Sequence, residues 1–154
     1  GGEFEVQSFA TSHDSAESVG YIITTPSGKI GVMTDTGVCP PGGKELLGSC
    51  RVVILESNHD ETMLLSGKYP YFLKKRVGGP RGHLSNLQAG EVLSSLVSSG
   101  TQWVFLAHLS KENNTPRLAM ESAEKVLCDL GAQPGKDIQV SVSPRDIPSE
   151  VYTF

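Results

Sequence analysis

The chain has 154 residues, is 38% hydrophobic and carries a formal net charge of -4 at pH 7, which describes one globular domain with a real core and argues against a surface that is basic throughout. It has no apolar stretch of the roughly 20 residues a membrane helix needs and no opening segment of signal-peptide type, so the expected class is a cytoplasmic protein with no membrane partner. Three cysteines, Cys39, Cys50 and Cys128, odd in number and without CxxC spacing, suggest neither a disulfide framework nor a thiolate zinc site and read as buried or half-buried thiols.

In chain order, residues 4–9 alternate as a half-buried strand does. Residues 19–25 and 29–34 are strand-like and are joined by Pro26-Ser27-Gly28, a hairpin turn. Asp35-Thr36-Gly37 leaves the second of these strands, 39–43 is a Pro/Gly-rich loop, and 44–47 is a short helix. The continuous apolar run in 51–56 predicts a strand buried on both faces. Residues 60–65 and 69–77 are short helical pieces, and 85–97 is an amphipathic helix with Leu87, Val92, Leu93 and Leu96 on a common side. Gly100 ends it, and 102–107 returns as a buried strand. Thr115 as N-cap and Pro116 at the first helical position start a helix that closes at Gly131. Residues 138–142 form the last strand, giving an α/β (α+β) chain without internal repeats that forms a single unit over 1–154.

All four histidines lie in short polar motifs at the ends of apolar runs: Ser12-His13-Asp14, Asn58-His59-Asp60, Gly82-His83-Leu84 and Ala107-His108-Leu109. Asp35 is placed in the same way. Imidazole and carboxylate are what zinc, manganese or iron take from a protein, and imidazole also moves protons near neutral pH. Sheet-end loops converge, so ligands distant in sequence can meet at one rim. A second feature is the basic stretch Lys68, Lys74, Lys75, Arg76 and Arg81, interleaved with Tyr69, Tyr71 and Phe72. It is either a solvated helix face over aromatic core residues or a phosphate contact, and its position before Gly82-His83 favours the second.

The run Thr11-Ser12-His13-Asp14, Gly31-Val32-Met33-Thr34-Asp35-Thr36-Gly37, Leu55-Glu56-Ser57-Asn58-His59-Asp60, Gly67-Lys68-Tyr69-Pro70, Leu73-Lys74-Lys75-Arg76-Val77, Gly82-His83-Leu84-Ser85-Asn86 and Ala107-His108-Leu109-Ser110 closely resembles the YycJ/WalJ branch of the metallo-β-lactamase fold hydrolases, over about residues 3–145. The resemblance implies an αββα sandwich with two divalent metal ions, zinc or manganese or else iron, at the rim of its sheets. It implies His13 as a ligand of the first metal, Asp35 as the bridging carboxylate and His108 as a ligand of the second. It also implies that His83 is a proton donor to the leaving oxygen, as in related phosphodiesterases such as tRNA 3'-processing enzymes. On the residues alone, His83 either does this or caps the helix that follows.

Asn58, His59 and Asp60 either orient a ligand or substrate or only fix their loop. Lys74, Lys75, Arg76 and Arg81, with Ser85 and Asn86 at a helix start, are candidate phosphate contacts. The HxHxDH motif of the family does not occur in these residues, and the chain opens Gly1-Gly2-Glu3. The expectation is therefore the carboxyl-terminal portion of such a domain. The expected function is a metal-dependent hydrolase, foremost a phosphodiesterase or DNA exonuclease on a nucleic acid substrate. The alternatives are a small-molecule ester or thioester hydrolase of the same fold and a non-catalytic fragment or binding module.

Overall fold

Strand order in the sheet follows chain order. In a computed structural model, which describes residues 3–153 and leaves the opening Gly1-Gly2 and Phe154 outside, six strands form one sheet in the order β1-β2-β3-β4-β5-β6. They are β1 (Glu5–Ala10), β2 (Val19–Thr25), β3 (Gly28–Met33), β4 (Val52–Glu56), β5 (Trp103–Ala107) and β6 (Gln139–Val142). The first three are antiparallel, with Tyr21 opposite Val32. From β3 onward pairing is parallel, with Met33 opposite Leu55 and Leu55 opposite Leu106. Parallel neighbours need crossovers, and helices supply them.

The helices are α1 (Gly43–Gly48), α2 (Glu61–Ser66), α3 (Tyr71–Val77), α4 (Asn86–Ser99) and α5 (Pro116–Asp129). Their starts are written in the sequence. Asp60 caps α2, accepting from Met63 N at 2.8 Å. Ser85 and Gln88 form a capping box on α4, and Thr115 caps α5 ahead of Pro116.

The two faces of the sheet differ. One face presents Ile22, Met33, Val53, Leu55, Val104 and Leu106, which join Leu47 of α1, Val92, Leu93 and Leu96 of α4, and Ala123 and Leu127 of α5 in a single buried cluster. The other face carries the row Tyr21, Val32, Ile54, Phe105 and Ser141, all half-buried or exposed. Tyr152 packs edge-on against Trp103 and Phe105 there. The apolar runs of β4 and β5, expected to be buried on both faces, are thus fully buried against the helices and half-buried opposite them at Ile54, Trp103 and Phe105.

Three local expectations are corrected. Strand β1 is an edge strand with side chains largely exposed on both faces, Val6 being 60% accessible. Leu87 is exposed and the inner side of α4 uses Ala89 and Gly90 instead. Cys128 is exposed while Cys39 and Cys50 are not. Among the described residues, no helix is long and apolar enough to cross a membrane.

Candidate metal centre

The carboxyl-terminal ends of β3, β4 and β5 deliver Asp35, Glu56 and His108 to one rim, and the α3–α4 loop brings His83 to the same place. The ligand-type atoms of these four side chains lie within 4.8 Å of one another. His13, from the β1–β2 loop, joins them through Asp35. Asp35 Oδ1 lies 3.8 Å from His13 Nε2, 3.8 Å from His83 Nδ1 and 3.7 Å from His108 Nε2. The three imidazoles stand in a row, with centroids of 4.8 Å between His13 and His83 and 5.2 Å between His83 and His108.

Glu56 organises this row. It is fully buried, and its Oε1 accepts from His83 Nδ1 at 2.8 Å and from His108 Nδ1 at 2.7 Å. Its Oε2 accepts from the amides of Thr36 and Leu84. Burial by itself would raise the pKa of this carboxyl; the His108 and His83 donors and the Thr36 amide overcome that and hold it at about 2. Reciprocally, the hydrogen bond from Glu56 raises the pKa of His108 against the opposing effect of burial. Because Glu56 takes the Nδ1 protons, the Nε2 atoms of His83 and His108 are left for other partners.

His13 is held in the same sense by a different acceptor, its Nδ1 lying 2.9 Å from the Gly82 carbonyl. That contact needs a close approach, since a Cβ on Gly82 would meet the Arg76 and Val77 carbonyl oxygens at 2.2 Å. Fixing one ring nitrogen with a carboxylate or carbonyl while the other faces the site is how proteins orient metal-binding imidazoles. The backbone supports the same reading. Among the described residues, the only non-glycine residues at positive φ are Asp35 (52°) and His108 (59°), a conformation that surrounding structure must impose. Asn58 helps impose it, donating from Nδ2 to the His108 carbonyl at 2.8 Å.

The donor set therefore fits divalent metal ions: Nε2 of His13 and His108 and a half-exposed Asp35 carboxylate face one another, each on a fixed backbone. Glu56 does not belong among those donors, since both its oxygens are engaged by protein groups.

The remaining expected site residues divide. His59 is buried and pairs with Ser85 as an isolated bridge; burial lowers its pKa, and it makes no hydrogen bond to the Asp35 cluster. Asp60 is a helix cap. Ser85 and Asn86 are buried inside the protein, so they do not present a phosphate-binding helix start. The Ser85 amide donates to Gln88, the Asn86 amide to the His59 carbonyl, and the Asn86 side chain bonds Ser57 and Asn114.

The cations also separate. Arg76 pairs with Asp14 at 2.5 Å, and Arg81 donates to the His13 carbonyl, so both stand at the histidine rim. Lys74 and Lys75 instead line a groove with His59. A cleft of about 500 Å³ opens beside His83 and His108, lined by Tyr69, Ser110, Ser143 and Arg145 among others.

Sequence reasoning missed Glu56 and Arg145. The signal for Glu56 was available: a carboxylate directly ending a buried apolar strand must find several donors, and histidines are the donors in reach.

This geometry agrees with the sequence relationships of the chain. It is 33% identical over 150 residues to a Bacillus anthracis protein named exodeoxyribonuclease YycJ, covering 97% of this chain and 57% of that protein. It is 31% identical over 139 residues to exodeoxyribonuclease WalJ of Streptococcus pneumoniae, covering 90% and 52%. The structure superimposes on the metallo-β-lactamase fold protein YhfI of Bacillus subtilis with a TM-score of 0.63 at 17% identity, covering 91% of this chain and 46% of that one. The chain has the metallo-β-lactamase fold and resembles YycJ and WalJ in sequence. It spans little more than half the length of the relatives it matches, and no family profile matches it. Within the metallo-β-lactamase fold, the six-stranded sheet and helical layer described above form the portion that carries Asp35, His83 and His108.

Proposed function

We propose that these residues act in a metal-dependent phosphodiesterase, a DNA exonuclease, in a protein that also carries the HxHxDH segment. The observation that carries this reading is the Glu56-anchored row of imidazoles around Asp35. Two divalent ions, zinc or manganese first and iron next, would supply Lewis acidity and a water of lowered pKa at that row. His13 and His108 would hold them with Asp35, whose carboxylate would help to offset their charge.

His83 has a different task. With Nδ1 bonded to Glu56, its Nε2 is the atom that carries a proton to the departing oxygen of the scissile phosphodiester. The Glu56 carboxylate stabilises the charged ring before that transfer and keeps it correctly turned after it. Arg145 in the neighbouring cleft and Arg76 and Arg81 at the rim supply positive charge for the phosphates of the strand, which favours a nucleic acid over a neutral ester.

The test is His83→Ala in a protein bearing both this chain and the HxHxDH segment, assayed on single-stranded DNA. Turnover should fall about 10²- to 10⁴-fold with metal content unchanged. Equal losses of metal and turnover would show that His83 is a ligand rather than a proton donor.

A further inference from the structure

Behind the metal rim, α2 and α3 border a second groove of about 670 Å³. Two consecutive residues separate it from the cleft beside His83 and His108: Val77 lines the cleft and Gly78 lines the groove. The groove is apolar along Leu64, Leu65 and Tyr71, and Lys74 and Lys75 border it. Leu65 and Tyr71 are each 72% exposed, so their apolar surfaces face solvent in this chain. The Lys75 ammonium sits 5.0 Å from the centre of the Tyr71 ring, and Lys74 is anchored on the Leu65 carbonyl at 2.6 Å.

One polar side chain in the groove wall lacks what its neighbours have. Glu61 accepts from Ser85, and the Gln88 amide is engaged by Ser85 and Gly37. His59 is 2% exposed, and its Nδ1 has no hydrogen-bond partner. Its Nε2 edge lies toward Gly78, where a Cβ would stand 3.8 Å away. A ligand lying in the groove meets the ring at this Nε2 edge, where a hydrogen bond to His59 can form.

An exposed aromatic ring, leucine walls, one unsatisfied imidazole and flanking ammonium groups are complementary to a flat heteroaromatic ring that carries a phosphate. We infer that this groove is a nucleobase subsite: a base of the single-stranded substrate lies on Tyr71, bonds His59 at its edge, and has its phosphate beside Lys74 and Lys75. This rests on the nucleic acid reading above and adds to it the place where the strand is gripped away from the metals. Because a single imidazole reads the base edge and stacking accepts any base, the subsite binds with little base preference.

The test is an NMR titration of this chain, with chelator present to remove metal, using thymidine 5'-monophosphate, thymidine and inorganic phosphate as separate probes. The nucleotide should shift Leu65, Tyr71 and Lys75 saturably. Tyr71→Ala, at an exposed position that does not threaten folding, should weaken it roughly tenfold. Lys75→Gln should weaken the nucleotide and leave thymidine unchanged, and the four deoxynucleotides should bind within a few-fold of one another. Shifts confined to the His13 and Asp35 rim, or unchanged binding in Tyr71→Ala, would overturn the subsite.

The two readings fail separately. If the protein with the HxHxDH segment degrades single-stranded DNA and Tyr71→Ala leaves its KM unchanged, the subsite is wrong and the nuclease reading stands. If the nucleotide fills the groove and no nuclease activity is found, the subsite stands and the nuclease reading falls.

Discussion

The histidine rim and the basic stretch obey opposite rules of assembly. His13, Asp35, His83 and His108 are spread over 96 positions of the chain, yet three of them lie within 4 Å of Asp35. Lys74, Lys75, Arg76 and Arg81 fall within eight positions and go to three places: a groove with His59, the Asp14 carboxylate and the His13 carbonyl. Parallel strands end together, so residues just past their ends meet whatever their separation in sequence. Successive residues on a helix point about 100° apart, so a run of cations on α3 is dealt out to different neighbours. Clustering in sequence is therefore the weaker guide to clustering in space.

The contrast predicts very different sensitivities. The largest effect is expected at Glu56, where Glu56→Ala leaves two histidines and two amides without their buried acceptor. Chelator-treated protein should lose about 3–5 kcal/mol in urea unfolding, and metal affinity should fall with it. A variant as stable as the parent would break the claim that this carboxylate organises the rim.

Next in size is the pH dependence of the metal-free chain. Glu56 has its pKa lowered from 4.5 to about 2, so its contribution is present above 4.5 and lost as pH falls toward 2, a change of about 3 kcal/mol. His108 has its pKa raised above 6.5, so its contribution is present below 6.5 and lost as pH rises through its folded value. Together they place the optimum of this cluster between pH 4.5 and 6.5, which denaturant midpoints across pH would locate. A midpoint that climbs steadily from pH 5 to 9 contradicts the pairing.

The smallest effect belongs to the basic stretch. Arg76 and Asp14 form an exposed pair, screened by water and salt. Arg76→Ala should leave the melting temperature unchanged while weakening single-stranded DNA binding by this chain at low salt. A large loss of stability would contradict the reading of Arg76 and Asp14 as an exposed, screened pair.

Most of the architecture is legible in the residues because local chemistry decides it. Pro26-Ser27-Gly28 turns the β2–β3 hairpin, Thr115-Pro116 starts α5, and β2 occupies the span its pattern predicts. Legibility fails where the answer depends on what packs alongside. Leu87 lies on the opposite side of α4 from Val92, Leu93 and Leu96 at about 100° per residue, so it faces solvent although it is apolar. Ile54 and Phe105 read as doubly buried but are half-buried, with Tyr152 edge-on against Phe105. Asn58, His59 and Asp60 are adjacent in the chain and perform three different jobs: holding the His108 carbonyl, lining a groove and capping a helix. Glu56 was hidden by its setting, because an apolar strand draws attention to its pattern rather than to the residue that stops it.

The sheet in which strand order equals chain order has a kinetic meaning. Each new strand pairs with the one made just before it, so the sheet can grow in step with synthesis at roughly 5–20 residues per second. The Glu56 carboxylate is then made well before its two imidazole donors, which arrive 27 and 52 residues later. Until β5 docks, that charge has no reason to leave water. The strand that brings His108 is thus the step that commits the rim, and amide-exchange protection at Leu55 and Leu106 should arise together, after protection in the β2–β3 hairpin.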